Sequence, residues 1–169
     1  MKMWYKRCRA EIEKLYGGDA DLFCDLLAAC SPRKHIKANW KMAVRIYESR
    51  NSDNINYTGC LPCHRGNIDR VLSGQELSGR KVKAFAACLK GDLNQVVVDV
   101  WVARFFGFEK VTDKVYDTCV QIILATAGFA RMYPAEIQAE IWIESLQLAG
   151  RKPLSFCAAI DYQLKFWKD

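Results

Sequence analysis

Residues 77–108 read "LSGRKVKAFAACLKGDLNQVVVDVWVARFFGF", and the parsing of this stretch decides the fold. Val82, Phe85, Ala86 and Leu89 recur at three- to four-residue spacing, which predicts a helix over 80–89 with one apolar face. The turn-forming "KGDLNQ" ends it. Val96 to Val98 is apolar but too short to imply a sheet by itself. Asp99 follows as a single carboxylate among valines and a long apolar run. A buried charge without a partner costs several kcal/mol, yet at the start of a helix running to Phe106 the free N–H groups and the helix dipole favour an acid. The simplest role for Asp99 is therefore an N-cap.

The helical period runs outward from this segment in both directions. Trp4, Cys8, Ile12 and Leu15 or Tyr16 mark a first helix that Gly17-Gly18 stops. Asp19 is placed to cap a second helix, Ala20 to Ala29, which Ser31-Pro32 breaks. A third helix sets Ile36, Trp40, Ala43, Val44 and Tyr47 on one face, with Lys37, Lys41 and Arg45 elsewhere. Residues 51–62 read as a polar loop, 66–72 as a short helix, and Ser78 as the N-cap of the helix that begins at Arg80. Helices are expected at Asp113–Ala130, at Pro134–Leu148 with proline in its first position, and at Ser155–Trp167. No repeat or linker divides the chain. The expectation is one all-α domain over residues 1–169.

The chain has 169 residues and a net charge of +6. No stretch approaches the ~20 apolar residues of a membrane span, and the N-terminal "MKMWYKRCRAEIEK" is too charged for a signal peptide. A monomeric cytoplasmic protein with no membrane partner is expected, its eight cysteines being free thiols rather than disulfides. Residues 31–50 hold six Lys/Arg against one Glu, and 65–90 hold six against Asp69 and Glu76. Residues 91–150 reverse this, with four basic and eight acidic side chains. Such polarity presents a positive face to a polyanion, most simply nucleic acid. Arg33, Lys34, Lys37, Lys41, Arg80 and Lys83 are the candidates for phosphate contact, against the alternative of a merely solvated basic surface. The "CLPCH" at 60–64 fits half of a zinc site and the pattern of covalent haem attachment. Neither completing ligands nor an export pathway is evident, so no metal and no cofactor is expected.

The 77–108 segment resembles the core of the helix-hairpin-helix DNA glycosylase superfamily, the endonuclease III and adenine glycosylase group. Gly79-Arg80-Lys81 matches the end of the family's hairpin, Val98-Asp99 its acid at a helix start, and Arg104 the arginine of that helix. Lys81 and Asp99 stand 18 positions apart, the spacing of the lysine and aspartate in bifunctional members. "LLAACSPRKHIKANWKMAVRIY" resembles the family's early helix, loop and helix, with Asn39 at the matching Asn position. "YPAEIQAEIWIESLQLAGRKP" resembles its late helix, with Trp142 at a similar place. The similarity covers roughly residues 22–153, and extends to small phage proteins that share "SP", an Asn eight residues later, "SGRK" and Val/Ile-Asp; encoded by a phage, the protein would work in the host cytoplasm.

The resemblance implies a helix-hairpin-helix fold with a shortened hairpin, because "LSG" stands where the family reads Leu-Pro-Gly-x-Gly. It implies duplex DNA with a flipped base as partner, Asp99 as catalytic carboxylate and Lys81 as candidate nucleophile. Asn39 and Gly79 join the DNA-contacting set, and Ser31, Gln138 and Trp142 the substrate pocket. The family's C-terminal iron–sulfur loop is missing, Cys157 being the one cysteine after Cys119. Trp40, Tyr47, Trp101 and Trp142 could stack on a base, although aromatics at helical spacing more often belong to a core. The function implied is a DNA glycosylase, with AP-lyase activity if Lys81 attacks. Two alternatives stand beside it: base hypermodification on the same scaffold, and an inactive nucleic-acid-binding protein.

Overall fold

The computed structural model describes residues 3–160, whose regular secondary structure is helical, without a strand. The order is α1 (Trp4–Tyr16), a 3₁₀ turn (Gly17–Asp19), α2 (Ala20–Ala29), α3 (Ile36–Ser49), α4 (Pro62–Leu72), α5 (Arg80–Lys90), α6 (Val100–Phe105), α7 (Asp113–Ala130) and α8 (Pro134–Leu148). Residues 156–160 are again helical, while 161–167 of the expected last helix lie outside the described residues. No described helix is long and apolar enough to cross a membrane.

α2 is the axis of the first half. Its sequence is apolar nearly all round, the mark of a helix enclosed by others, and Phe23, Cys24, Leu26, Leu27, Ala28 and Ala29 have no solvent exposure. It packs against α1, α3, α4 and α5. Truncating Leu26 or Leu27 to Ala would cost about 2–5 kcal/mol. A second apolar cluster joins Val96, Val98 and Val102 to Tyr116, Cys119 and Ile123 of α7 and Ile137 of α8. α6 packs chiefly on α8, and α8 also reaches α1.

The apolar stretch before α6 is extended yet belongs to no sheet. Its carbonyls are met from three helices: Ala135 N donates to Leu93 O at 3.0 Å, Cys88 Sγ to Gln95 O at 3.6 Å and Tyr116 Oη to Val96 O at 3.0 Å. These bonds aim Asp99 into the space between the two clusters.

Three local expectations are corrected. Asp19 makes no side-chain cap on α2; its Oδ2 accepts from Tyr47 Oη at 2.6 Å and Arg50 at 2.9 Å, tying the start of α2 to α3. Ser78 is not the N-cap of α5 either. Gly79 holds that place at φ 93° and ψ 133° without a side-chain bond, a conformation suited to glycine alone. The Ser78 backbone is clamped instead by Asn67, which accepts from Ser78 N at 2.7 Å and donates to Ser78 O at 3.0 Å. Finally, α4 begins at Pro62, inside the expected loop. Pro62 needs no N–H at a first helical position, and Leu61 N donates to His64 Nδ1 at 3.0 Å while His64 N donates to Leu61 O at 2.9 Å.

Candidate functional site

Asp99 is the N-cap of α6, as its sequence position implies. Oδ1 accepts from Trp101 N at 2.8 Å and Val102 N at 3.0 Å, and Oδ2 accepts from Trp142 Nε1 at 3.1 Å. The two backbone bonds leave the carboxylate immobile, and the indole bond, from a residue 43 positions away, sets its second oxygen against α8. Asp99 is half-buried and lines an inner cavity of about 90 Å³ as well as the broader cleft of about 910 Å³ beside it.

Lys81, in the first turn of α5, lines both spaces too. It makes no ion pair or hydrogen bond among the described residues. The inner cavity also brings together Ser31, Asn39, Gln138 and Trp142, so every residue assigned to the substrate pocket shares one wall system with the acid and the lysine. Asn39, expected to meet DNA, is 2% exposed and lies in this cavity rather than on a surface.

The basic candidates divide into three groups. Arg33 and Lys34, from the loop between α2 and α3, border the outer cleft, and Lys34 reaches the inner cavity as well. Arg80 borders the cleft but is engaged by Asp117 and, at 3.7 Å, Asp113, and lies over the Tyr116 ring with its guanidinium 4.2 Å from the centroid. Gly79, Arg80 and Lys83 border a shallow groove beside the α4–α5 turn, where Lys83 pairs with Glu76 at 3.2 Å. Lys37 and Lys41 are exposed on α3 and border neither space. Of the aromatics considered for stacking, Trp142 lines the inner cavity and Trp101 the cleft, whereas Trp40 is a core residue stacked edge-on against Phe23.

Several site residues were not singled out by sequence. Trp4 and Tyr5 open α1 and line the inner cavity with Phe156; the helical period marks Trp4 alone, as core, and leaves Tyr5 unmarked. Tyr5 Oη donates to Gln138 Oε1 at 2.8 Å across 133 positions. Burial, aided by nearby Cys88, Cys8 and Asp99, pushes the Tyr5 phenol well above the ordinary tyrosine range, so its proton stays in that bond. Arg151 and Lys152 border the outer cleft, Arg151 with its guanidinium 4.9 Å from the Trp101 ring centroid. The signal for them was a basic pair directly after the helix-ending Gly150.

The "CLPCH" segment is a structural joint. His64 has no solvent exposure. Since Nδ1 accepts from Leu61 N, the proton resides on Nε2, which donates to Pro32 O at 2.7 Å. Both ring nitrogens are thus committed, and among the described residues no three His, Cys, Asp or Glu side chains are grouped to hold a metal.

No curated protein and no solved structure matches the chain. One family model does, over residues 2–148, a span that includes Asp99, Lys81 and every pocket residue from Trp4 to Trp142 but stops short of Arg151, Lys152 and Phe156. By that match the chain belongs to the Family of unknown function (DUF7178).

Proposed function

We propose that the chain is a DNA N-glycosylase that holds a flipped base in the inner cavity and breaks its bond to the sugar beside Asp99. One observation carries this reading: the helix-capped carboxylate and the Lys81 amine, which has no partner among the described residues, border the same inner cavity, and that cavity adjoins a cleft edged by Arg33, Lys34, Arg151 and Lys152. As the C1′–N bond breaks, its electron pair leaves with the base and positive charge develops on the sugar. A carboxylate held by three hydrogen bonds faces that charge without reorganising. Water then adds at C1′ and loses a proton, and the base gains one. If the Lys81 amine, having given up its proton, adds instead, the Nζ–C1′ bond forms, nitrogen loses a further proton and the C1′–O4′ bond breaks with O4′ gaining one; the opened sugar stays on the protein as a Schiff base, and strand cleavage can follow by elimination of the 3′ phosphate.

The test is incubation of wild-type and Asp99→Asn protein with DNA carrying ordinary, damaged and modified bases, with released bases read by mass spectrometry and adducts trapped by borohydride. Asparagine remains a good N-cap, so the variant should fold. Base release lowered by about 10²-fold or more in the variant supports the reading, and a trapped adduct lost in Lys81→Ala assigns the lyase step. Absence of release and adduct across the panel overturns it.

A second reading, a nucleic-acid binder without catalysis, is favoured by Arg80. Its bonds to Asp117 and Asp113 withdraw the hairpin arginine from phosphate. Such a binder would be indifferent to Asp99→Asn and sensitive to charge reversal at Lys81.

A further inference from the structure

Among the described residues four buried side-chain polar atoms have no hydrogen-bond partner, and three of them belong to residues of the inner cavity: Trp4 Nε1, Ser31 Oγ and Asn39 Oδ1. The residues are 7%, 9% and 2% exposed. Folded proteins satisfy nearly all buried polar groups, so three such atoms around one small cavity need a common cause. Packing offers none, since an apolar side chain of similar shape would avoid the loss at each position.

The neighbouring Gln138 follows the same logic from the other direction. Tyr5 occupies its Oε1, which leaves the amide N–H₂ as the group it can offer. The wall therefore has a fixed hydrogen-bonding character. Trp4 can only donate, Asn39 Oδ1 can only accept, Ser31 can do either, and Gln138 donates. Lys34, Lys81 and Asp99 add ionisable groups of both signs to the same space.

We infer that the inner cavity reads the hydrogen-bonding edge of an intact nucleobase, one carrying both acceptors and donors, and does not take bases N-alkylated on that edge or apolar ring analogues. This rests on the reading of the cavity as a base pocket. A base alkylated on that edge would present a methyl group where a donor or acceptor is needed, and a ring without donors and acceptors would leave the Trp4, Ser31 and Asn39 atoms unpaired. Aromatic neighbours supply shape and the polar set supplies choice. A site built to hydrogen-bond its ligand rejects the analogue lacking those groups far more strongly than an apolar pocket rejects a small change in size.

The experiment measures binding of the wild-type full chain to duplexes carrying one 2′-fluoro nucleotide, which resists loss of its base. Two shape-matched pairs are compared, thymine with 2,4-difluorotoluene and adenine with 4-methylbenzimidazole, and an N3-methylated thymine is added as a third probe. In at least one pair the polar base should bind about tenfold or more tightly than its apolar twin. That ratio should fall below about threefold in Ser31→Ala/Asn39→Leu, or in Trp4→Phe should the double variant fail to fold. A merely structural role for these residues would change affinity for both members alike and leave the ratio standing. Equal binding within both pairs, an unchanged ratio in the variants, or N3-methylthymine bound as well as thymine overturns the inference. Failure of catalysis is separable: a polar preference without base release leaves this inference and removes the glycosylase, whereas base release with equal binding of the twins does the reverse.

Discussion

Asp99 satisfies its own helix with one oxygen and Trp142 of α8 with the other, so a single side chain serves as cap and as cross-link at the cavity wall. The first role is legible in sequence because capping depends on residues two and three positions away. The second depends on a helix 43 positions on. His64 is the contrasting case, a titratable group spent wholly on structure. Burial lowers its imidazole below the ordinary histidine value, and protonation would also remove the acceptor that Leu61 N uses. A base depressed in the folded state binds fewer protons there than in the unfolded chain, so stability falls as pH drops below about 6.5 toward the lowered value. Denaturant midpoints should decline from pH 7 to pH 5 more steeply in the wild type than in His64→Asn; parallel declines would remove His64 from the account.

At the scale of the elements, the α4–α5 turn is held by side chains of α4 and by one glycine. Asn67 clamps the Ser78 backbone, Arg70 Nε donates to Glu76 O at 2.6 Å, and Gly79 supplies the left-handed step into α5. Gly79→Ala should cost about 1–3 kcal/mol, because φ at this position is closed to other residues. Gly66→Ala, on the exposed side of α4 with nothing within 4 Å of an added Cβ, should be neutral or stabilising by about 0.5–1 kcal/mol. Urea unfolding of both variants checks the contrast, and equal effects would contradict the turn geometry. The spans of α2, α7 and α8 follow from sequence because glycine, proline and the apolar period act within a turn or two. Asp19 and Ser78 look like caps by the same rules and are not, since Tyr47, Arg50 and Asn67 compete for them from other helices.

Across the whole molecule, the two apolar clusters meet where the acid, the lysine and the pocket residues converge, and the cleft beside them collects Arg33 and Lys34 with Arg151 and Lys152. On the proposed reading, each DNA phosphate neutralised by these side chains releases counterions, so log affinity should fall linearly with log salt. Arg151→Gln/Lys152→Gln should make that slope shallower by about 1–2 between about 50 and 200 mM salt, as read by fluorescence anisotropy on a short duplex. Arg80→Gln should change it little, its charge being already paired with Asp117 and Asp113. An unchanged slope in the double variant would rule this cleft out as the proposed DNA path. The all-α class, most helix limits, the cap at Asp99 and an excess of positive charge in the first half are legible along the chain, because all depend on neighbours a few positions apart or on plain composition. That Trp4 and Tyr5 belong to the pocket, that Asn39 is enclosed, that Arg80 is paired and that Arg151 and Lys152 border the cleft emerges when the helices pack. Those facts arise from contacts between distant helices, and such contacts leave no periodic trace along the chain.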